Sequence, residues 1–405
     1  MARLARMEVF APDEVAIVHV MNRVVRRCFL LGDDPVSGKN YDHRKCWIED
    51  ELKKNAAYFG IDLLGFAILS NHFHLILRSR PDCVEKWDET EVARRWLMLC
   101  PIRKDDRGLA EEPNEFELNS IRNDPERLQL IRSRLSDLSW WMRLLCQHIA
   151  VRCNEEDQEV GRFFQSRYRA VRLLDEQALL ACAAYVDLNP IRAAMAETLE
   201  SSDFTSVQRR IQAVEEQGPH DVAAVAETKG SRHAASSASG GSESKSFERT
   251  SRDPLSPANK SSERTVREQA IPRRDQFLAP LALDERFGEL GPVPNDAGTR
   301  CSDKGFLPMA LADYLALLDW TGRQLVRGKK GRIPNSVTTI LRRLKLDRYG
   351  WCELVGNFGK RFFHVAGEVE TIETTTSRVK QQRYNIPSDT RKLFGEVQLK
   401  ATATA

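Results

Sequence analysis

Two histidines separated by one residue, His72 and His74, precede an apolar run at Leu75–Leu77. Side chains alternate between the two faces of a β-strand, so both imidazoles of a strand here point to one side while Phe73 points to the other. Two neutral imidazoles about 7 Å apart at Cβ can bind one divalent metal ion. The pair therefore predicts a metal site on a strand surface, with a chance pair of histidines as the alternative.

A second candidate is Tyr185, in a segment that we expect to form a helix beginning after Asp175 and stopped by Pro190. On a helix, Tyr185 and Asn189 share a face because they are four residues apart. A phenol and an amide oxygen would then be presented together. The alternatives are a core tyrosine with a hydrogen-bonded hydroxyl, and an Asn189 that is out of line because it precedes a proline.

The third candidate is a segment rich in arginine and aromatic residues, 161–172, which contains no acidic residue. Guanidinium groups bind phosphates and aromatic rings stack on unpaired bases, so this composition is typical of a surface for single-stranded nucleic acid. A solvated, arginine-rich strand is the alternative. The candidate side chains are Arg162, Arg167, Tyr168, Arg169 and Arg172.

Strands and a helix are predicted around the histidine pair. The β-branched run Val15–Met21 predicts a buried strand, and residues 42–59 predict a helix. Two apolar stretches, 62–69 and 71–78, are close enough to be antiparallel neighbours joined by a tight turn. Strand, helix, strand, strand is half of a ferredoxin-like pattern.

Farther along the chain, helices are predicted at 90–100, 125–135 and 136–154, and a last strand at 162–174. The helix that carries Tyr185 follows this strand. The mixture predicts an α+β fold with a ferredoxin-like antiparallel sheet and packed helices.

Composition divides the chain into four predicted regions. Residues 1–205 form a first domain, and residues 206–303 are a flexible, low-complexity linker because serine, glycine, proline and charged residues there offer little apolar surface to a core. Residues 304–370 form a small helical basic module, and 371–405 a polar tail. We expect the basic residues of the module to bind phosphates, or alternatively to contact the same chain or a partner protein.

The whole chain is not a polycation. Its 61 Lys and Arg residues against 58 Asp and Glu residues give a net charge of +3, so any nucleic-acid surface must be local. No apolar run approaches the roughly 20 residues of a membrane span, and no signal peptide is evident, so a cytoplasmic protein is expected. The nine cysteines contain no CxxC pair, which argues against a structural zinc site.

Three motifs, in their order along the chain, resemble the HUH-endonuclease superfamily, and within it the single-tyrosine transposases of bacterial insertion sequences and the REP-associated tyrosine transposases. The motifs are His19–Arg23 in the first strand, Asn71–Leu75 with its His-hydrophobic-His signature, and Tyr185–Arg192 on the tyrosine helix. The resemblance extends from about Val15 to Ala196. It departs from many relatives at Ser70, where they have proline, and leaves the C-terminal half outside the common core.

The resemblance implies an HUH nuclease core that cuts and rejoins single-stranded or hairpin DNA. Tyr185 would be the nucleophile, and His72 and His74, with Asn189 as a candidate third ligand, would hold Mg²⁺ or Mn²⁺. Arg23 would join the arginine-rich segment in binding DNA. The resemblance also implies a homodimer, and the expected location is the nucleoid within the cytoplasm.

Two other functions remain open. A catalytically idle descendant would bind DNA as a repressor, and a metal-binding protein unrelated to DNA would use only the histidines. The presence of His72, His74 and Tyr185 together favours an active enzyme, since an idle descendant is free to lose them. A simple metal-binding protein leaves Tyr185 and the arginine-rich segment unexplained.

Overall fold

The computed structural model describes residues 13–25, 30–35, 37–227, 273–283, 293–325, 334–344 and 346–378. The low-complexity centre of the predicted linker and most of the predicted tail lie outside these ranges. So do five basic residues of the predicted module, Arg327, Lys329, Lys330, Arg332 and Lys345. Within the described ranges, no helix is long and apolar enough to cross a membrane.

Five strands form one sheet in the order β2–β3–β1–β4–β5. The first four are antiparallel to their neighbours, whereas β5 runs parallel to β4. β1 is therefore central and pairs with β3 along its whole length. The strands are β1 Ile17–Arg23, β2 Ile61–Ile68, β3 His72–Ser79, β4 Arg169–Leu173 and β5 Val365–Ala366.

Helices pack on both faces of the sheet. Those in the described chain are α1 His43–Tyr58, α2 Pro81–Val84, α3 Glu89–Leu99, α4 Glu115–Arg122, α5 Pro125–Leu135, α6 Leu138–Asp157, α7 Glu176–Asp187, α8 Asn189–Arg192, α9 Ser206–Glu227, α10 Leu311–Leu325, α11 Asn335–Arg343, α12 Arg348–Arg361 and α13 Val369–Arg378.

Each face of the sheet belongs to its own apolar core. On one face, Val18 and Phe73 pack with residues of α1 and α6 such as Leu52. On the other, Ile76 and Val171 pack with residues of α7, α10 and α12. Because both faces are covered, β2 and β3 contain apolar runs, and the polar histidines at the start of β3 stand out beside them in the sequence.

The predicted α+β class is confirmed. The strands expected at 62–69 and 71–78 are β2 and β3, and the helix expected at 42–59 is α1. The last strand was expected at 162–174, but that extent is wrong because only Arg169–Leu173 pair as β4. The buried Phe163 and Phe164 precede it, and the Phe163 carbonyl accepts a 2.8 Å hydrogen bond from the amide of Val25, beyond the end of β1.

Residues of the predicted C-terminal module share a core with the first domain. The chain divides into one compact unit of Met1–Gln212 with Arg274–Ala405 and a second of Ala213–Arg273. Within the first unit, the Tyr314 hydroxyl of α10 donates a 2.7 Å hydrogen bond to Asp187 at the end of α7. Burial raises the pKa of the Asp187 carboxyl.

Part of the predicted linker is also ordered, and it contributes residues to both apolar cores. Phe277, Leu278 and Ala279 are buried, and the Ala279 amide donates a 2.9 Å hydrogen bond to the Leu63 carbonyl of β2. These residues have the local composition of a linker, but β2 offers them backbone partners. Tertiary contacts therefore order a segment that composition alone assigns to flexible chain.

A buried ion network fixes the later part of this segment. The Asp62 carboxylate accepts hydrogen bonds from Arg78 Nε at 2.9 Å and from the backbone amide of Ser302 at 3.0 Å. Arg80 Nη1 lies 3.3 Å from the same carboxylate. All three charged side chains are almost fully buried, so each depends on its partners to offset lost hydration.

We expect Asp62→Ala to lower the free energy of unfolding by about 3–5 kcal/mol, because it removes the anion that pairs with the buried Arg78. Arg80 would keep its second partner, Asp82. Asp319→Ala is the matched control, since its carboxylate pairs with Arg323 on the surface and exposed pairs contribute about 1 kcal/mol or less. Urea unfolding of both variants measures the difference. Equal losses would show that the buried network does not stabilise the fold.

Candidate functional site

Strand pairing brings three histidines to one face of the sheet. In the register of β1 and β3, Met21 lies opposite His74 and Arg23 lies opposite His72. Directly opposed residues point to the same face, and so do residues two apart on one strand. His19, two residues before Met21, therefore joins the pair. Its apolar neighbours in β1 point to the other face, which explains why this strand carries a histidine without breaking its core.

Two side-chain hydrogen bonds orient the imidazoles of β3. His74 Nδ1 lies 2.9 Å from Nε2 of His19, and both rings are almost completely buried. His72 Nδ1 lies 2.6 Å from the amide oxygen of Asn71, the residue before it. The rings of His72 and His74 are 5.0 Å apart at their centroids. Both histidines thus use Nδ1 for protein contacts.

All three imidazoles are neutral at physiological pH. Burial lowers the pKa of His19 to about 3, with the positive charge of Arg169 adding to the effect. Burial, followed by the charge of Arg23, lowers the pKa of His72 to about 4. The pKa of His74 is lowered as well, first by burial. Neutral imidazole is the form that binds metal ions.

Tyr185 reaches this cluster from α7. Asp175 begins the helix as its N-cap, accepting a 2.9 Å hydrogen bond from the Ala178 amide. The run of small and apolar residues that follows lets α7 pack against the sheet. The Tyr185 ring meets His74 edge-on at 5.4 Å between centroids and His19 at 5.9 Å. Tyr185 is partly exposed, unlike its neighbours on the helix.

The other side of the Tyr185 ring is bounded by an arginine and by α12. The Arg192 guanidinium lies 4.8 Å from the ring centroid and donates to the Gly356 carbonyl. Phe358 packs beside the tyrosine at 5.8 Å between centroids. A β-carbon on Gly359 would lie 2.6 Å from the Tyr185 hydroxyl oxygen, so only glycine allows this approach. The C-terminal helix is therefore part of the site.

The side chains at this site supply some, but not all, of the ligands that a divalent metal ion needs. With Nδ1 occupied in both histidines of β3, the Nε2 atoms of His72 and His74 are the ones left for a metal ion. Nε2 of His74 is buried without a hydrogen-bond partner, as a ligand awaiting a cation would be. Within the described ranges, no group of three or more His, Cys, Asp and Glu side chains has the arrangement of a metal site. The two histidines would need further ligands.

Asn189, the predicted third ligand, does not continue the helix of Tyr185. α7 ends at Asp187, and Asn189 opens the short helix α8, with Pro190 directly after it. Leu188, the one residue between the two helices, has φ −86° and ψ 1°, and this interrupts the regular four-residue spacing assumed from the sequence. Asn189 is buried, and its role as a ligand stays a prediction.

The six predicted DNA-binding residues fall into three pairs by exposure and contacts. Arg162 and Arg167 are exposed, ahead of β4. Arg169 and Arg172, in β4, are only partly exposed and contact this chain, since Arg169 donates to the Phe362 carbonyl and Arg172 pairs with Glu14. Of the remaining two, Tyr168 and Arg23 are partly exposed, and Arg23 lies opposite His72.

Sequence reasoning missed three contributors to this site. His19 lies in the first-strand motif His19–Arg23, but no role was assigned to it. The available signal was its position between apolar residues that point to the opposite face of β1. Arg192 was likewise in the tyrosine motif. The approach of Gly359 carried no local signal, because it depends on a contact between residues far apart in the chain.

We expect Gly359→Ala to lower the free energy of unfolding by about 1–3 kcal/mol, because the added methyl overlaps the Tyr185 hydroxyl. Gly356→Ala is the control on the same helix: its β-carbon would meet Leu325 at an ordinary 3.4 Å, and alanine favours a helix over glycine by about 1 kcal/mol. In a Tyr185→Phe background the cost of Gly359→Ala should shrink. Additive effects in this double-mutant cycle would refute the contact.

No family model matches the chain. No curated protein matches it either. Among solved structures, the chain is similar to a REP-associated tyrosine transposase bound to a REP hairpin, with 11% sequence identity and a TM-score of 0.31. The match covers 52% of this chain and 86% of that one.

Proposed function

We propose that the protein is a metal-dependent transposase-type endonuclease that nicks and rejoins single-stranded DNA through Tyr185. The observation that supports this proposal is the position of the Tyr185 ring, 5.4 Å from the ring of His74 in the paired histidines of β3. These residues are more than a hundred positions apart in the sequence. A tyrosine oxygen can form a covalent intermediate, and neutral histidines beside it can hold the metal ion that such a reaction would use.

The proposed reaction exchanges one phosphoester bond for another. The Tyr185 oxygen attacks the scissile phosphorus and loses its proton, while the bond from phosphorus to the 3′ oxygen breaks and that oxygen takes up a proton. The products are a 5′-phosphotyrosine and a free 3′-hydroxyl. Because no bond energy is lost to hydrolysis, a 3′-hydroxyl can attack the phosphotyrosine and rejoin the strand.

His72 and His74 would hold Mg²⁺ or Mn²⁺ through their Nε2 atoms. When bound, such an ion polarises the phosphoryl oxygens and stabilises the leaving 3′ oxygen. The protein contributes the neutral form of both ligands, since burial keeps them unprotonated. It also holds the tyrosine ring between the histidines and Arg192. Asn189 and the oxygens of the substrate are candidates for the remaining ligands.

The substrate that we propose is single-stranded or hairpin DNA. Arg162 and Arg167 are exposed, with aromatic neighbours in sequence, and would bind its phosphates. Arg23, Tyr168, Arg169 and Arg172 are further candidates closer to the sheet. A homodimer that works at the nucleoid in the cytoplasm completes the proposal.

A second candidate function is DNA binding without cleavage, as in a repressor descended from a transposase. The observation that favours it is the close packing of α12 against the Tyr185 hydroxyl. A substrate phosphate must reach that oxygen for the reaction to occur. The two candidates differ in whether a covalent adduct forms.

Tyr185→Phe should form no detectable covalent adduct with a 3′-labelled single-stranded or hairpin DNA in the presence of Mn²⁺, because it lacks the nucleophilic oxygen. It should bind the same DNA within about twofold of the wild type, since one hydroxyl contributes little to affinity. Denaturing gels measure the adduct, and fluorescence anisotropy measures binding. Tyr349→Phe, an exposed tyrosine, is the control that should retain the adduct.

An adduct at wild-type yield in the Phe variant would mean that another residue is the nucleophile. A wild-type protein that binds hairpin DNA but never forms the adduct would favour the repressor.

His72→Ala and His74→Ala should each abolish cleavage, and EDTA should have the same effect on the wild type, because the ligands or the ion are then missing. His43→Ala is the matched control: this histidine is exposed and pairs with Glu156 away from the site. Circular dichroism should show folded protein in all three variants. Undiminished cleavage in excess EDTA would exclude the metal role.

A further inference from the structure

His19 belongs to the site, but the proposed function gives it no role as a metal ligand or as a nucleophile. Its Nε2 lies 2.9 Å from His74 Nδ1, and the two rings are nearly parallel, at 12°. It is 4% exposed, on the central strand. A buried polar side chain needs a hydrogen-bond partner to offset its lost hydration. His74 is that partner.

The hydrogen bond has two possible directions, and they differ at His74 Nε2. If His19 donates, His74 carries its proton on Nε2, and that N–H is buried with no acceptor. If His74 donates from Nδ1, its Nε2 is a lone pair, also buried and without a partner. Only the second arrangement lets a cation satisfy the buried atom. It also matches His72, whose Nδ1 faces an amide oxygen of Asn71 that can only accept.

We propose that His19 is a positioning residue for the metal site: its Nε2 accepts the Nδ1–H of His74 and so fixes the tautomer and ring orientation in which His74 Nε2 binds the ion. The metal-binding role of His74 rests on the proposed function, whereas the positioning role of His19 rests on the observed hydrogen bond. Histidine ligands generally donate their second ring N–H to a fixed acceptor, and loss of that acceptor weakens metal binding about 10–100-fold.

His19 itself is not placed to be a ligand through Nε2, because that atom is engaged by His74. Its ring also meets Tyr185 at 5.9 Å and Phe358 at 6.1 Å, so it is enclosed on the side of the nucleophile. A single side chain thus connects the orientation of the metal ligand to the packing of the tyrosine.

The first test needs no substitution. In full-length protein without metal, long-range ¹H–¹⁵N NMR correlations report which ring nitrogen of each histidine carries the proton. We expect His74 to be protonated at Nδ1 and His19 at its own Nδ1. A His74 protonated at Nε2 would overturn the inference.

The second test measures Mn²⁺ binding by titration calorimetry and by the EPR signal of free Mn²⁺. His19→Leu should weaken binding about 10–100-fold, and His19→Gln, whose amide oxygen can accept the same proton, should restore it to within a few fold of wild type. His148→Leu, which removes a histidine paired with Glu51 outside the site, should leave binding unchanged.

Unchanged affinity in His19→Leu would overturn the inference. So would a loss as complete as that of His74→Ala that His19→Gln does not rescue, because it would make His19 a direct ligand. The DNA adduct is scored separately on the same proteins. Failure of the wild type to form an adduct, with the His19 pattern intact in Mn²⁺ binding, would reject the proposed function and leave the positioning role standing.

Discussion

The antiparallel register of β1 and β3 is the constraint on which the site depends. It sets Met21 opposite His74 and Arg23 opposite His72, and so places His19 on the same face as the histidine pair. A slip of one residue in either strand would turn its histidines toward α1 and α6, away from Tyr185. Polar groups in that core would be unpaired. The strand register that keeps the core apolar is therefore also the register that assembles the site.

Features with a short-range periodic signal were predictable. Alternation placed His72 and His74 on one face of a strand, and the paired apolar stretches gave the β2–β3 hairpin. The helix of Tyr185 was evident from its acidic N-cap, Asp175, which caps α7 as expected. The expected stop at Pro190 is wrong in detail, because α7 ends at Asp187 and Pro190 lies in the first turn of α8. Such patterns are local because one face of each element must be apolar, whatever packs against it.

Features that depend on distant partners were not predictable. β5 has two residues, too few for any periodic pattern, and exists because β4 offers it a free edge. The start of α12 could be predicted from its N-cap, Asp347. Its approach to Tyr185 depends on Gly359, and glycine within a helix is unfavourable unless a close neighbour requires it. The ordered parts of the predicted linker likewise owe their order to β2 and Asp62 rather than to their own composition.

Backbone partners lie along β2, an outer strand of the sheet, and along β4, which is covered by β5 and the residue before it, and this affects how copies of the chain can meet. Next to β4, the carbonyl of His364 accepts from the Arg172 amide at 2.8 Å. Next to β2, Phe204 and Ala279 supply backbone hydrogen bonds of 3.0 and 2.9 Å. Open strand edges invite pairing with another molecule. A second copy of the chain therefore could not pair with β4, or with β2 at Leu63 and Ile68, without displacing these partners.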